Sequence, residues 1–450
     1  MKLNLQLQPL LLAITFYATG VSSSFAQEIS PYLFGQNHWL ASGDEGRVGY
    51  VQDLWPEVKA SGVKMVRIGG NGYERQFPER SRLNAMIDNI KGIGAEPILQ
   101  VPRFFNELQI RELVRYYTKD NSKKVKYWSI GNEPMLHNEN TLEEVHSFLL
   151  RIAPIIKDVA PDVTLFMYDE SSLMMPAYGE LIGGKMDVTG LKHKGRWLFD
   201  GVTFHNYPNG KDFSRDDVIF SGPQKILGEI KTLKDLIAKA NKKYKRQGDD
   251  ALLWGLTEFN VTYHNPDREI SGYGNTSFLA GQFFAEIFGY GMEYSAFTID
   301  PWCISEVDKV ATDFGFLGLP TEFFPRSNYY HMQLMSTYMT GSFLASNNNQ
   351  KYVKTIVTQN PETTAIMILN QEKAMAFDYQ LNLAGSVTDG SSSLLINTDA
   401  GITATLSGEV PAQSTLLLVV NKQGKLIKKI TYGLTNNLKY EAPQITPLVQ

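Results

Sequence analysis

Between Tyr32 and Gly341 short apolar runs of strand length alternate with longer segments of helical spacing, and eight such runs can be counted. They are Leu33–Asn37, Met65–Gly69, Glu96–Val101, Tyr127–Gly131, Thr164–Tyr168, Gly201–Tyr207, Leu252–Thr257 and Tyr294–Ile299. The intervening segments place Leu83, Met86, Ile87 and Ile90 on one helix face, as they do Val145, Phe148, Leu149 and Ile152, and Ile226, Ile230, Leu233 and Ile237. Strands that alternate with helices form crossover units around a parallel sheet. Eight units close into a (β/α)8 TIM barrel, in which the working residues stand at the C-terminal ends of the strands.

After Gly341 the helical period disappears. Short β-rich runs follow at Tyr352–Thr358, Thr364–Leu369, Phe377–Leu383, Leu394–Asn397, Thr403–Leu406, Thr415–Val420 and Leu426–Thr431. Turn clusters such as Ser346-Asn-Asn-Asn349 and Asp389-Gly-Ser-Ser392 separate them, which predicts a C-terminal antiparallel β-sandwich. The expected division is a leader over 1–26, the barrel over 27–341, the sandwich over 342–435 and a tail over 436–450. A support packed against the barrel suits the sandwich better than a separate binding module, since it carries no evident acid pair or metal cluster.

The leader reading rests on Lys2, the mainly apolar stretch from Leu10 to Val21, and the small-x-small pattern Ser24-Phe25-Ala26. It predicts a mature chain that starts at Gln27 and is secreted or periplasmic. No other segment reaches the roughly 18 apolar residues of a membrane-spanning helix. Cys303 is the sole cysteine, so no internal disulfide exists, and its expected role is that of a small buried hydrophobe. A formal net charge of −4 argues against nucleic acid as the main partner. Oligomeric state is not legible.

Two strands end in a glutamate: Trp128-Ser-Ile-Gly-Asn-Glu-Pro134 and Trp254-Gly-Leu-Thr-Glu-Phe259. A carboxylate at the end of an apolar strand costs several kcal/mol unless it is paired or used. In a barrel, the fourth and seventh strands both open onto one central cleft. Glu133 and Glu258 can therefore face each other across a bound sugar, one carboxylate kept ionised and the other kept protonated.

Gly131-Asn132-Glu133-Pro134 ending strand four, with Thr257-Glu258 ending strand seven, resembles clan A of the retaining glycoside hydrolases, over a span from about Gly35 to Met339. The resemblance implies Glu133 as acid/base, Glu258 as nucleophile and Asn132 as a partner of the substrate's 2-hydroxyl. It further implies that Arg67 orients Glu258 and that Tyr207 and His205, two apart on one strand face, lie beside Glu258 and Glu133. A cation beside Glu258 is expected to depress its pKa. An ordinary surface pair for Arg67 and a satisfied core histidine for His205 remain as alternatives. The clan commonly has a tryptophan ending strand eight; here Asp300-Pro-Trp302 stands there, so Trp302 would be that platform displaced by a residue or two. Trp39, Phe104 and Trp197 also follow strand ends, as sugar platforms or as packing.

Arg103, His137, Lys192, His193, Lys194, Arg196, Lys211, Arg215, His264 and Arg268 follow strand ends and form a cationic set in a slightly acidic chain. Such a set suits an anionic polysaccharide, sulfated or uronic, such as an agar-, porphyran- or carrageenan-type galactan. Solvated loop charge accounts for it equally well, and Asp169 and Glu170 after strand five would bind neutral hydroxyls or repel anions. There is no His-Glu-x-x-His, Walker loop or paired Cys-x-x-Cys, so no cofactor or metal is expected. The sequons at Asn260 and Asn275 read as chance. The expectation is a retaining β-glycoside hydrolase acting on a polysaccharide. A non-catalytic glycan-binding barrel, an exo-acting enzyme on neutral oligosaccharides and a barrel lyase or metal-dependent hydrolase are the rivals.

Overall fold

The computed structural model describes residues 28–38, 54–264, 269–305, 313–318, 324–385 and 392–448. The leader segment, Trp39 and Arg268 lie outside the described residues. Ten strands, β1 to β10, occupy the first part of the chain: Gly35–His38, Met65–Ile68, Glu96–Val101, Tyr127–Ile130, Thr164–Leu165, Lys192–His193, Arg196–Trp197, Gly201–Asn206, Leu253–Phe259 and Thr298–Ile299. β1 to β5 form one parallel sheet and β8 to β10 another. Parallel bridges between Phe166 and Gly201 and between Phe34 and Ile299 join the two into a closed eight-stranded barrel. All eight sequence-predicted strands are present, the fifth shortened to Thr164–Leu165 and the last to Thr298–Ile299. β6 and β7 form a separate small hairpin.

The helices are α1 Trp55–Ala60, α2 Asn71–Arg75, α3 Arg80–Gly92, α4 Glu107–Arg115, α5 Leu142–Val159, α6 Ala177–Leu181, α7 Gly222–Tyr244, α8 Phe278–Glu293, α9 Ser327–Tyr338 and α10 Leu434–Leu438. α5 illustrates why they form where they do. Thr141 and Glu144 make a reciprocal capping box at its start, and Val145, Phe148, Leu149, Ile152 and Ile156 bury one face. No helix among the described residues is long and apolar enough to cross a membrane.

Inside the barrel, Met65, Ile98 and Phe166 make an apolar floor with Tyr32, Tyr127, Leu253 and Phe297 against them. Two residues further along β2 stands Arg67, fully buried, in a polar layer with Asn37, Gln100, Asp169 and Thr257. The barrel is therefore packed below and polar above, which confines the chemistry to its C-terminal mouth.

The C-terminal strands are β11 Ser342–Leu344, β12 Ser346–Asn348, β13 Val353–Gln359, β14 Thr363–Asn370, β15 Phe377–Asn382, β16 Leu394–Thr398, β17 Thr405–Val410, β18 Ser414–Asn421, β19 Leu426–Gly433 and β20 Gln444–Thr446. They form a six-stranded sheet, β11-β13-β14-β18-β19-β20, and a four-stranded sheet, β12-β16-β15-β17. Ser346-Asn-Asn-Asn349, read as a turn, contributes edge strand β12, because antiparallel pairing to β16 holds a polar run that lacks strand propensity. β15 and β16 pair in parallel, an exception to the expected antiparallel order. The segment read as a tail supplies β20, antiparallel to β19.

The two units share one apolar core through α8 and α9. Phe278 and Tyr330 pack on Tyr432, and His331 Nε2 lies 2.7 Å from Thr415 Oγ1. Gln282 Nε2 donates to Ser414 O at 3.1 Å and to Asn370 O at 3.4 Å. Withdrawing this buried donor strands two carbonyls, so Gln282→Leu should cost about 1–3 kcal/mol in urea unfolding. Barrel and sandwich should still melt in one transition; two resolved transitions would show that the shared core does not couple them.

Candidate active site

Glu258 lies within β9, where the pairing to β8 shifts register between Phe204 and His205, so that Phe204 faces Leu256 and His205 faces Glu258. The irregularity lets neighbours Thr257 and Glu258 both serve the mouth: Thr257 Oγ1 donates to Asp169 Oδ1 at 2.7 Å, and Glu258 accepts from two other donors. Glu133 stands three residues past β4. Its backbone has φ of 40°, a strained value for a side-chain-bearing residue, and its N–H donates to Asp169 O at 2.6 Å.

Arg67 is the hub. Its Nη1 donates to Glu258 Oε1 at 2.8 Å and to Asn37 Oδ1 at 3.1 Å, and its Nη2 donates to Asn132 Oδ1 at 2.6 Å. Nε and Nη2 reach Asp169 Oδ2 at 3.3 and 3.2 Å. Tyr207 donates its hydroxyl to Glu258 Oε2 at 2.9 Å, and His205 Nδ1 lies 2.8 Å from Glu133 Oε1 and 3.7 Å from Glu258 Oε2. One oxygen of each glutamate and a His205 nitrogen all lie within 4.8 Å of one another. Glu133, Glu258, Arg67, Asn132, His205 and Tyr207 are thus brought together at one point.

Burial governs the electrostatics. Desolvation raises Glu133 to about 7, with Arg67 opposing and Asp169 reinforcing. Desolvation also raises Glu258, against His205, Arg67 and the Tyr207 hydrogen bond. The depressed value expected for Glu258 from its neighbouring cation is therefore corrected: taking the carboxylate out of water outweighs the arginine. Burial keeps His205 neutral. Burial also acts to raise Asp169, but Arg67 and His205 outweigh it and the net direction is down. The two glutamates titrate as a coupled pair. Glu258 accepts from a guanidinium and a phenol, whereas Glu133 has a neutral imidazole and a 3.4 Å contact from Asn71, so the shared proton resides on Glu133.

Glu133, His205 and Glu258 also have the ligand types of a metal site. Arg67, 2.8 Å from Glu258, places a fixed positive charge inside that set and disfavours a divalent cation.

Trp302 lies in the same cleft, packed with Phe314 and Cys303 and with Tyr207 against it. Its ring edge approaches Gly70, where a side chain would sit 3.0 Å from it, and the backbone there has φ of 105°. Arg103 is a correction. It is buried against Glu74 (2.5 Å) and Glu139 (2.7 Å), and Nη1 donates to Asn132 O at 3.0 Å. Its charge is consumed in holding the Asn132 backbone rather than offered to substrate.

The wider cationic set is dispersed likewise. His193 and Lys194 contact Asp158, and Arg196 contacts Asp162. Those partners close and follow α5, ahead of β5, so the β6–β7 hairpin sits at the N-terminal end of the barrel, away from the mouth. Trp197 goes with it, covered by Lys192 at 4.0 Å and Arg246 at 4.5 Å. Phe104 remains exposed beyond β3, under the Arg103 guanidinium. Asn260 and Asn275 are buried and hydrogen-bonded. Sequence reasoning did not assign Asn37, Asn71, Glu74 or the Asp169 contacts. Asn37 ends the first strand run and Asp169 follows the fifth, so strand-end position was the available signal.

No known family profile matches the chain, and no curated protein matches it. Solved structures do. An α-L-arabinofuranosidase from Thermotoga maritima, in complex with arabinose, is 14% identical, with a TM-score of 0.64 over 88% of this chain and 97% of that one. A family 51 α-L-arabinofuranosidase from Bifidobacterium longum is 14% identical, with a TM-score of 0.64 over 88% and 96%. A glycoside hydrolase family 30 subfamily 8 xylanase from Clostridium acetobutylicum is 14% identical, with a TM-score of 0.53 over 88% and 97%. These likenesses show the fold: a TIM barrel, as the clan A resemblance implies, followed by the β-sandwich expected from the strand pattern after Gly341.

Arg67→Met should cost about 3–5 kcal/mol of unfolding free energy, because it leaves Asp169 and Glu258 buried without their cation. Urea titration reads this directly, and an unchanged midpoint would remove Arg67 as the hub.

Proposed function

We propose that the chain is a retaining glycoside hydrolase acting on a polysaccharide or oligosaccharide with a neutral backbone. One observation carries the reading: carboxylate oxygens of Glu133 and Glu258 approach within 4.8 Å. Retaining enzymes hold their carboxyl groups about 5–5.5 Å apart, whereas inverting enzymes need about 6.5–9.5 Å to seat a water.

In the first step Glu258 attacks the anomeric carbon as Glu133 transfers its proton to the departing glycosidic oxygen, leaving a glycosyl ester on Glu258. In the second, Glu133, now a carboxylate, takes a proton from water. The water oxygen bonds to the anomeric carbon and frees Glu258 as a carboxylate. Arg67 and Tyr207 hold the Glu258 oxygens in line, and His205 fixes the Glu133 side chain. Asn132 has its Oδ1 fixed by Arg67, which leaves its amide nitrogen to meet a substrate hydroxyl.

Arg103, His193, Lys194 and Arg196 are paired to carboxylates, so the anionic galactan reading rests on His137, Lys211, Arg215 and the other loop cations, and a neutral glycan is preferred. The solved structures that share the fold include arabinofuranosidases, a xylanase and a xyloglucanase, which sets the substrates to try first. A β linkage, and export after removal of residues 1–26, belong to the same proposal. A non-catalytic binder has no need of a proton held on one of two facing carboxylates.

Aryl β-xylosides, β-glucosides, β-galactosides and α-L-arabinofuranosides, then xylan, xyloglucan and agar, form the test panel. Glu258→Ala should abolish turnover of whichever is cleaved. Glu133→Gln should lower it about 10²–10⁴-fold, less for leaving groups that depart without a proton. Binding to these glycans without cleavage would overturn the hydrolase. The pH profile of kcat/KM should fall as pH rises through about 7, where Glu133 loses the proton it must donate. It should also fall on the acid side, at a pH above the ordinary carboxylate range, as Glu258 becomes protonated.

A further inference from the structure

We propose that Asp169 is the positioning residue of the glutamate pair: one buried carboxylate that ties three barrel strands together and fixes a negative charge beside Glu133. The proposal rests on the glycosidase reading for its catalytic consequence, but its structural content stands separately.

The geometry is specific. Asp169 Oδ2 accepts from Arg67 on β2, at 3.3 Å from Nε and 3.2 Å from Nη2. Oδ1 accepts from Thr257 Oγ1 on β9, the residue before Glu258, at 2.7 Å. The backbone oxygen of Asp169 accepts from Glu133 N–H at 2.6 Å, and Asn132 and Asp169 form a parallel bridge. Asp169 thus grips Glu133 through the main chain, Glu258 through its neighbour, and both through the guanidinium they share. The strained backbone of Glu133 is a place where such a grip is needed, since a residue in that region persists only when its surroundings over-determine it.

The charge matters as much as the contacts. Asp169 is completely buried yet ionised, because the Arg67 guanidinium faces it and Thr257 donates to it. Several other titratable groups face Glu133: Arg67 from β2, His137 from its own loop, Glu170 from beyond β5, His205 and Tyr207 from β8 and the loop after it, and Glu258 from β9. Arg67 draws the proton off Glu133, and Asp169 keeps it there. Without Asp169 the arginine would meet less opposition, and Glu133 would ionise at lower pH. A carboxylate with a purely structural role would lower activity without moving the titration.

Asp169→Asn, which preserves shape and removes charge, is compared with Thr257→Val, which removes one hydrogen bond and keeps the charge. The readouts are the pH profile of kcat/KM on the best aryl glycoside and the carbon-13 titration of Glu133 in glutamate-labelled protein, assigned by its loss in Glu133→Gln. In Asp169→Asn the Glu133 titration and both limbs of the profile should move to lower pH, with activity beyond the alkaline limb falling about tenfold per unit moved; Thr257→Val should leave them in place. An unmoved titration in Asp169→Asn, or an equal shift in both variants, overturns the proposal. Should Asp169→Asn not fold, neutron diffraction of wild-type crystals at mildly acidic pH decides: deuterium on Glu133 and none on Asp169 is expected, and deuterium on Asp169 overturns it. Failure of every glycoside to react would sink the hydrolase reading alone, since the titration does not depend on turnover.

Discussion

A guanidinium with no exposed surface organises this molecule. Arg67 sits inside the barrel above an apolar floor, where an unpaired charge would cost several kcal/mol even after relaxation. Five side chains from different parts of the barrel meet it: Asn37, Gln100, Asn132, Asp169 and Glu258. Each has a reason to be where it is that traces to that charge. Asn37 reaches across with its amide nitrogen to Thr257 O at 2.8 Å and Asp300 O at 3.0 Å, so the first barrel strand is tied to the last two through the same centre.

The charge count then divides labour between the glutamates. Arg67 supplies one positive charge and Asp169 one negative, so an ionised Glu258 brings the cluster to one net negative charge. Ionising Glu133 as well would place a second carboxylate within 4.8 Å of the first. At that separation repulsion is about 3–4 kcal/mol for an effective dielectric of about 20. Desolvation acts in the same direction, and the proton stays on the glutamate with the weaker donors. The two glutamates therefore differ not in residue type but in which hydrogen-bond donors the strands deliver to them.

Much of this was legible in the sequence, for a physical reason. Strands buried on both faces read as continuous apolar runs, so a charged residue inside one stands out, as Arg67, Glu133 and Glu258 do. What was hidden lay where local pattern and tertiary context part. α8 is apolar on every side because barrel and sandwich cover it together, so it lacks the stripe that marks an amphipathic helix. The polar run Ser346–Asn348 becomes a strand only because β16 is there to pair with it. The hairpin cations were hidden for a third reason. Sequence order places Lys192 to Arg196 after strand five, but a long connection returns to the barrel's other end before the next strand begins, and the hairpin belongs to that return.

The same distinction separates chemistry from specificity. Arg67, Glu133, Asp169, His205, Tyr207 and Glu258 are each held by a barrel strand or stand within a few residues of its end. Arg103 shows how far the strands extend their control: its guanidinium pairs with Glu74 and Glu139 and also donates to the Asn132 carbonyl, so even a loop cation serves to fix the turn that carries Glu133. The aromatic groups Trp302 and Tyr207 are likewise packed in one cluster with Phe314 and Cys303 rather than left to adjust. A mouth built this way is fixed by the strands, and on the proposed hydrolase reading any choice among glycans falls to the connections beyond them.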